Sequence, residues 1–349
     1  MKNFRRYIPV VALVAVFGIL SGCKKDEPEK EYLDGTIRLE LPTYVAKGYT
    51  KQFKIDTLAT ITASDGSGVG YYFNNTVTGK RDTVMLRDGS YGPGFPGGVY
   101  TYTVGDKTGS STLTLIAFGS EKYYSTSGKA AYTVVDPAMD GTGSLTGFNR
   151  SEAELQFTDE RDGHNYWYTE VDGPMWMTQN LGWRGAGAPF YNSEIMAEVL
   201  GQYYTWDEAR TACPEGWRLP SEEEIKTFAT SFGAVEDSNG SLVGMAGDFM
   251  ADLYFNGSPL WPYWPGVNIT NAACMYLIPT GYAIVNEGKY EFPNPLVDTN
   301  GKSIGYSLFW TGDELDGRGI YRYIYEDQNI IFQGLASKDS FAAPVRCVR

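Results

Sequence analysis

The residues with the types to do chemistry are few: four cysteines, one histidine and one loop dense in large aromatic rings. Any Ser-His or Cys-His mechanism would have to use His164. It stands in Asp162-Gly163-His164-Asn165, a turn context that predicts an exposed turn histidine. Zinc asks for a His/Cys cluster, and the chain has none in sequence. A glycosidase needs only two carboxylates. The 42 acids allow such a pair, but no motif marks one. The aromatic loop is Pro259-Leu260-Trp261-Pro262-Tyr263-Trp264-Pro265-Gly266. Its three prolines forbid a regular helix or central strand. Trp261, Tyr263 and Trp264 on such a stiff loop suit a stacking platform for sugar rings or a hot spot for protein. Trp183, in Gly182-Trp183-Arg184-Gly185, is a fourth candidate ligand-binding residue. The opposing expectation is a loop folded over the core with its rings buried. No catalytic and no metal-ligating residue is assigned.

The elements around Cys213 can be read directly. Thr205-Trp206-Asp207-Glu208 fits a capping box, and the helix it opens is expected over 206–212, ending at Cys213-Pro214. Ser221-Glu222-Glu223-Glu224 is a second box, with three acids suited to the positive end of the helix dipole. Ile225, Phe228, Ala229 and Phe232 then form one buried stripe. The acidic run is thus a helix start, not a metal cluster. Cys213 lies in the elbow between two helices. Beyond Cys23 three cysteines remain, so at most one intramolecular pair forms. Cys274, in an apolar run, reads as a buried free thiol.

The first residues carry a different chemistry. Lys2, Arg5 and Arg6 precede an apolar stretch from Ile8 to Leu20, too short to span a bilayer and suited to a secretory signal. Leu20-Ser21-Gly22-Cys23 has the form of a lipobox, which assigns Cys23 as a lipidation site and a membrane as a partner through the lipid anchor. A signal peptide over 1–22 and a charged tether over 23–33 follow, with an exported, outer-membrane and cell-surface location. The formal charge is −13, becoming −16 once Lys2, Arg5 and Arg6 leave. No Lys/Arg cluster survives, so nucleic acid is not expected as a partner.

Residues 34–136 hold no Trp and no Cys and show short period-two runs, among them TIRLEL (36–41), KQFKID (51–56), VYTYTV (99–104), STLTLIAF (111–118) and AAYTVV (130–135). Some seven strands in a hundred residues predict an all-β immunoglobulin-like sandwich. Tyr100 in Pro96-Gly97-Gly98-Val99-Tyr100 is expected to pack its ring on the core and bond backbone through its hydroxyl. This half is expected to act as a stalk. Residues 137–149 read as a linker, and all eight Trp follow it.

The second half resembles a known family. Tyr204-x-Trp206, then Ala212-Cys213-Pro214-x-Gly216-Trp217-x-Leu219-Pro220, is similar to the core motif of the FISUMP (Fibrobacter succinogenes major paralogous) domain. Asp159-Glu160-Arg161-Asp162-Gly163, Trp176-Met177-Thr178-Gln179-Asn180-Leu181 and Val345-Arg346-Cys347-Val348 resemble its other segments, in order. Gln179 departs from the usual Glu, and 233–303 follows the family loosely. The resemblance implies an α+β C-type-lectin-like domain over 150–349, a Cys213–Cys347 disulfide, and core roles for Trp176, Trp206, Trp217 and Trp310. No cofactor is expected. For calcium, Phe292-Pro293-Asn294 and Trp310-Thr311-Gly312-Asp313-Glu314 do not match lectin calcium motifs, and Asp298-Thr299-Asn300-Gly301 reads as a hairpin turn. The functional expectation is non-catalytic binding of glycan or protein at the cell surface. The alternatives are a tip or accessory subunit of a surface fibre or complex, and a carboxylate-based hydrolase of surface glycans.

Overall fold

Alternating apolar residues pair strands in both halves, and the chain is mostly β-sheet with few helices. The computed structural model describes residues 29–349 apart from 153, 294, 295 and 298–302. Cys23 and most of the tether lie outside the described residues, as does the expected turn at 298–301. The strands flanking that turn, Leu296–Val297 and Ser303–Ile304, pair antiparallel. Among the described residues no helix is long and apolar enough to cross a membrane.

In the first half, a five-stranded sheet runs in the order Tyr44–Ala46, Thr126–Val135, Gly109–Phe118, Gly70–Asn75, Lys80–Met85. Only the Tyr44–Ala46 pairing is parallel. Thr50–Lys54 and Val99–Thr103 pair separately and share one core with it, including Phe53, Phe73, Tyr100 and Leu113. Two readings of this half need correction. TIRLEL makes only an isolated bridge at Ile37, because residues 36–41 have no strand partner beyond it. Tyr100 does stack on Phe73 at 4.1 Å, but its hydroxyl donates to Asp82 Oδ2 (2.8 Å), a side chain rather than backbone.

Residues 137–149 are packed. Leu145 and Ser144 are buried, and Leu145–Thr146 pairs with Tyr254–Phe255 of the second half. Val135 shares a core with Leu145, Leu253 and Ile278. Tyr44 crosses the same seam: its N–H donates to Ser193 Oγ (3.1 Å) and its ring meets Phe190 and Phe255.

The second half holds two five-stranded sheets, the hairpin set Leu155–Thr158, Asn165–Glu170, Met175–Met177 and the two expected helices. Both capping boxes are formed, opening Trp206–Ala212 and Glu222–Ser231. Cys213 is bonded to Cys347, so the first helix is tied to the last segment of the chain. That segment also bonds along its backbone to Met175, Met177, Leu181 and Arg218.

Candidate functional site

The Pro-stiffened loop does not make an aromatic platform. Trp261 is 3 % exposed and donates its indole N–H to the Leu277 carbonyl at 2.9 Å, inside a core with Trp176 and Phe228. Trp264 is half-buried on that core and donates to Glu326 Oε1 at 3.1 Å. Trp183 packs in a different core. Arg161 covers its ring at 4.2 Å, and a Cβ on Gly185 would meet the ring at 1.9 Å. Only Tyr263, 86 % exposed, projects into solvent. The stretch folds inward because two indoles gain more from burial with a hydrogen bond than from standing in water.

The other candidates have structural partners. His164 is half-buried rather than exposed, its ring 4.4 Å from Tyr166, and burial pushes its pKa down. Of the acidic run, Glu222 holds the fully buried Arg322, and Glu224 caps its helix and pairs with Arg218. Cys274 is a free thiol, with its pKa raised by burial. Trp176, Trp206, Trp217 and Trp310 are all buried.

A half-buried aromatic row, packed against the core of Leu308 and Trp310, lies on the sheet formed by Tyr306–Leu315, Arg318–Tyr325 and Ile330–Ala336. In the middle strand, Arg322 and Ile324 point into the core and are fully buried. Side chains alternate across a strand, so Tyr321, Tyr323 and Tyr325 fall together on the other face, half-buried. Tyr323 stacks on Phe332 of the next strand at 5.0 Å, and Tyr321 stacks on Phe341 at 5.2 Å. Gly334 lies directly opposite Tyr321, and a Cβ there would meet the ring at 2.3 Å. The glycine lets that ring lie close against the strand. The row continues through Phe341 to Tyr282 (4.8 Å) and from Tyr282 to Tyr306 (5.8 Å).

Among the described residues the hydroxyls of Tyr321, Tyr323 and Tyr325 have no protein partner. Burial raises all three pKa values, that of Tyr321 to about 12, so each hydroxyl is neutral at physiological pH and can donate and accept. The surface offers apolar rings edged with free hydroxyls and no nucleophile–base pair. Sequence reading missed it although the period-two signal is present in Tyr321-Arg322-Tyr323-Ile324-Tyr325. A charged Arg in the buried register hid the pattern.

Among curated proteins none matches the chain. A solved quinonprotein alcohol dehydrogenase-like protein from Bacteroides thetaiotaomicron aligns at 11 % identity over 84 % of this chain and 69 % of that one, with a TM-score of 0.16, too low to bear on the fold. A family model described as the Fibrobacter succinogenes major domain matches residues 169–349. That is more than half of the chain, and it covers the disulfide, both capped helices and the tyrosine face, so the chain belongs to the Fibrobacter succinogenes major domain family.

Proposed function

We propose that this is a lipid-anchored surface protein, held by Cys23, in which an immunoglobulin-like first half carries a C-type-lectin-like second half that binds carbohydrate without catalysis. The observation that carries the reading is the row of Tyr321, Tyr323 and Tyr325, which lie on one sheet face with hydroxyls that have no partner among the described residues. Pyranose rings present apolar C–H faces that pack on aromatic rings and hydroxyls that exchange hydrogen bonds with phenols. A formal charge of −13 disfavours polyanionic glycans and favours neutral ones. The lipobox and the charged tether support the anchor.

The test is a glycan array probed with soluble residues 29–349, beside a Tyr323→Ala variant whose fold is checked by circular dichroism. Binding to a neutral glycan, weakened at least about tenfold in the variant, is the expected result. Binding unchanged in the variant would move the site elsewhere, and a silent array would turn attention to protein ligands.

A further inference from the structure

The tyrosine face runs into a pocket at the seam between the two halves. Tyr282 and Tyr306, which end the row on the face, are also walls of this pocket. Its other rings include Tyr191 and Phe292 from the second half and Tyr44 from the first. Its volume is about 250 Å³, below what drug-sized ligands fill and suited to one sugar ring.

Among these rings stands one polar side chain in an unusual state. Thr280 is 5 % exposed, and its hydroxyl has no hydrogen-bond partner among the described residues. A buried unpaired hydroxyl costs free energy, and in a native structure it calls for a reason. The backbone holding it is well fixed. Tyr203 donates its hydroxyl to the Thr280 carbonyl at 2.5 Å, and the Thr280 N–H donates to the Ile278 carbonyl at 2.8 Å. Across the pocket, Tyr191 is kept at φ 51°, a left-handed conformation that a non-glycine residue holds only when its surroundings impose it.

We propose that this pocket binds one neutral sugar ring of the glycan, with the Thr280 hydroxyl as its buried hydrogen-bond partner and Tyr44 as a wall supplied by the first half. The inference rests on the carbohydrate reading of the tyrosine face and assigns that ligand a defined subsite. The first half then becomes part of the binding site as well as a support. The sugar packs against the rings, and a small number of placed polar groups, Thr280 among them, fix its orientation.

The test measures binding of residues 29–349 to free neutral mono- and disaccharides and to neutral oligosaccharides by calorimetry, for the parent protein, Thr280→Val, Tyr44→Ala and Tyr323→Ala. Thr280→Val keeps the shape and removes the orphan hydroxyl. It is expected to leave the melting temperature equal or higher while weakening binding about tenfold, the value of one buried hydrogen bond. A structural hydroxyl would show the opposite pattern, with lower stability and unchanged affinity. Tyr44→Ala is expected to weaken binding as well. If Tyr323→Ala loses binding while Thr280→Val and Tyr44→Ala stay within about twofold of the parent, the pocket proposal is overturned and the reading of the face stands. If no saccharide binds the parent protein, both fall.

Discussion

Arg346 is completely buried and makes no salt bridge among the described residues. Its guanidinium donates to the Asn180 side chain at 2.9 Å, to the Met275 carbonyl, and to the Tyr276 carbonyl at 3.1 Å. Burial, with Arg150 nearby, pushes its pKa down to about 9, so it stays charged at neutral pH. Two effects compete in Arg346→Met. The variant relieves a desolvated charge, but it leaves two buried carbonyls unpaired under a loop where Asn271, Cys274 and Tyr276 all hold left-handed backbone. The carbonyls cost about 1–3 kcal/mol each, and the methionine cannot replace their donor, so urea denaturation should show a net loss of about 3 kcal/mol. An unchanged midpoint would mean that desolvation cancels the bonds. His164 gives a pH signature at the same scale. Burial lowers its folded pKa below the ordinary value, against the charges of Asp162, Glu198 and Asp159, which raise it, and with that of Arg184, which lowers it further. The folded state therefore binds fewer protons than the unfolded chain, and stability present above about pH 6.5 is lost as pH falls toward the lowered value. His164→Gln should flatten the fall in melting temperature between about pH 7 and 5. A slope identical to the parent's would assign that loss to other groups.

The helix Glu222–Ser231 is fixed to the back of the tyrosine sheet at its first residue. Glu222 pairs with Arg322 and accepts from Gln333 at 2.6 Å, while the Arg322 guanidinium also donates to the Gly240 carbonyl at 2.6 Å. Arg322 stands between Tyr321 and Tyr323 in the strand with its side chain on the opposite face. Glu222→Ala would strand a fully buried cation, so a loss of about 3–5 kcal/mol is expected in chemical denaturation, together with weaker glycan binding as the strand relaxes. Loss of stability with glycan affinity intact would show that the face is rigid without this anchor. These elements also show which parts of the fold can be read from the chain. Both capping boxes involve residues three apart, so Thr205/Glu208 and Ser221/Glu224 were legible from local sequence alone. The Glu222–Arg322 pair spans a hundred positions, and no local rule announces it. Without it, Arg322 reads as a surface residue and the tyrosine alternation around it loses its meaning. Trp261 failed in the other direction. Proline-rich punctuation identified a loop correctly, but nothing local says whether a loop's rings face water or core. The Cys213–Cys347 bond was legible only through family resemblance, because three cysteines allow several pairings.

At the scale of the molecule, the packing of the two halves decides whether the first is only a support. The seam is built from few groups. Tyr44 packs its ring among Phe190, Tyr191 and Phe255, and Asn256 donates its side-chain amide to the Val134 carbonyl at 3.2 Å. Val135 adds an apolar contact with the core beneath Leu145. Each half has its own core, so each holds much of its stability internally. The second half is further closed by the Cys213–Cys347 bond, which joins positions 134 residues apart. In the chain-entropy picture a loop of that length is worth up to about 5 kcal/mol, all of it within the second half. The two halves should therefore differ in intrinsic stability and melt as one unit only while the seam couples them. Removing the Tyr44 ring takes away the largest side chain crossing it, and the buried aromatic surface is worth roughly 2–3 kcal/mol of coupling. Calorimetry of residues 29–349 should show one transition for the parent. Tyr44→Ala should show two, the lower belonging to the half without a disulfide, and a reducing agent should bring the upper one down. One undivided transition in the variant would place the coupling in the 137–149 segment, where Leu145–Thr146 pairs with Tyr254–Phe255. The pocket bounded by Tyr44 would then be held in shape by backbone pairing, and a ligand in it would stabilise both halves together.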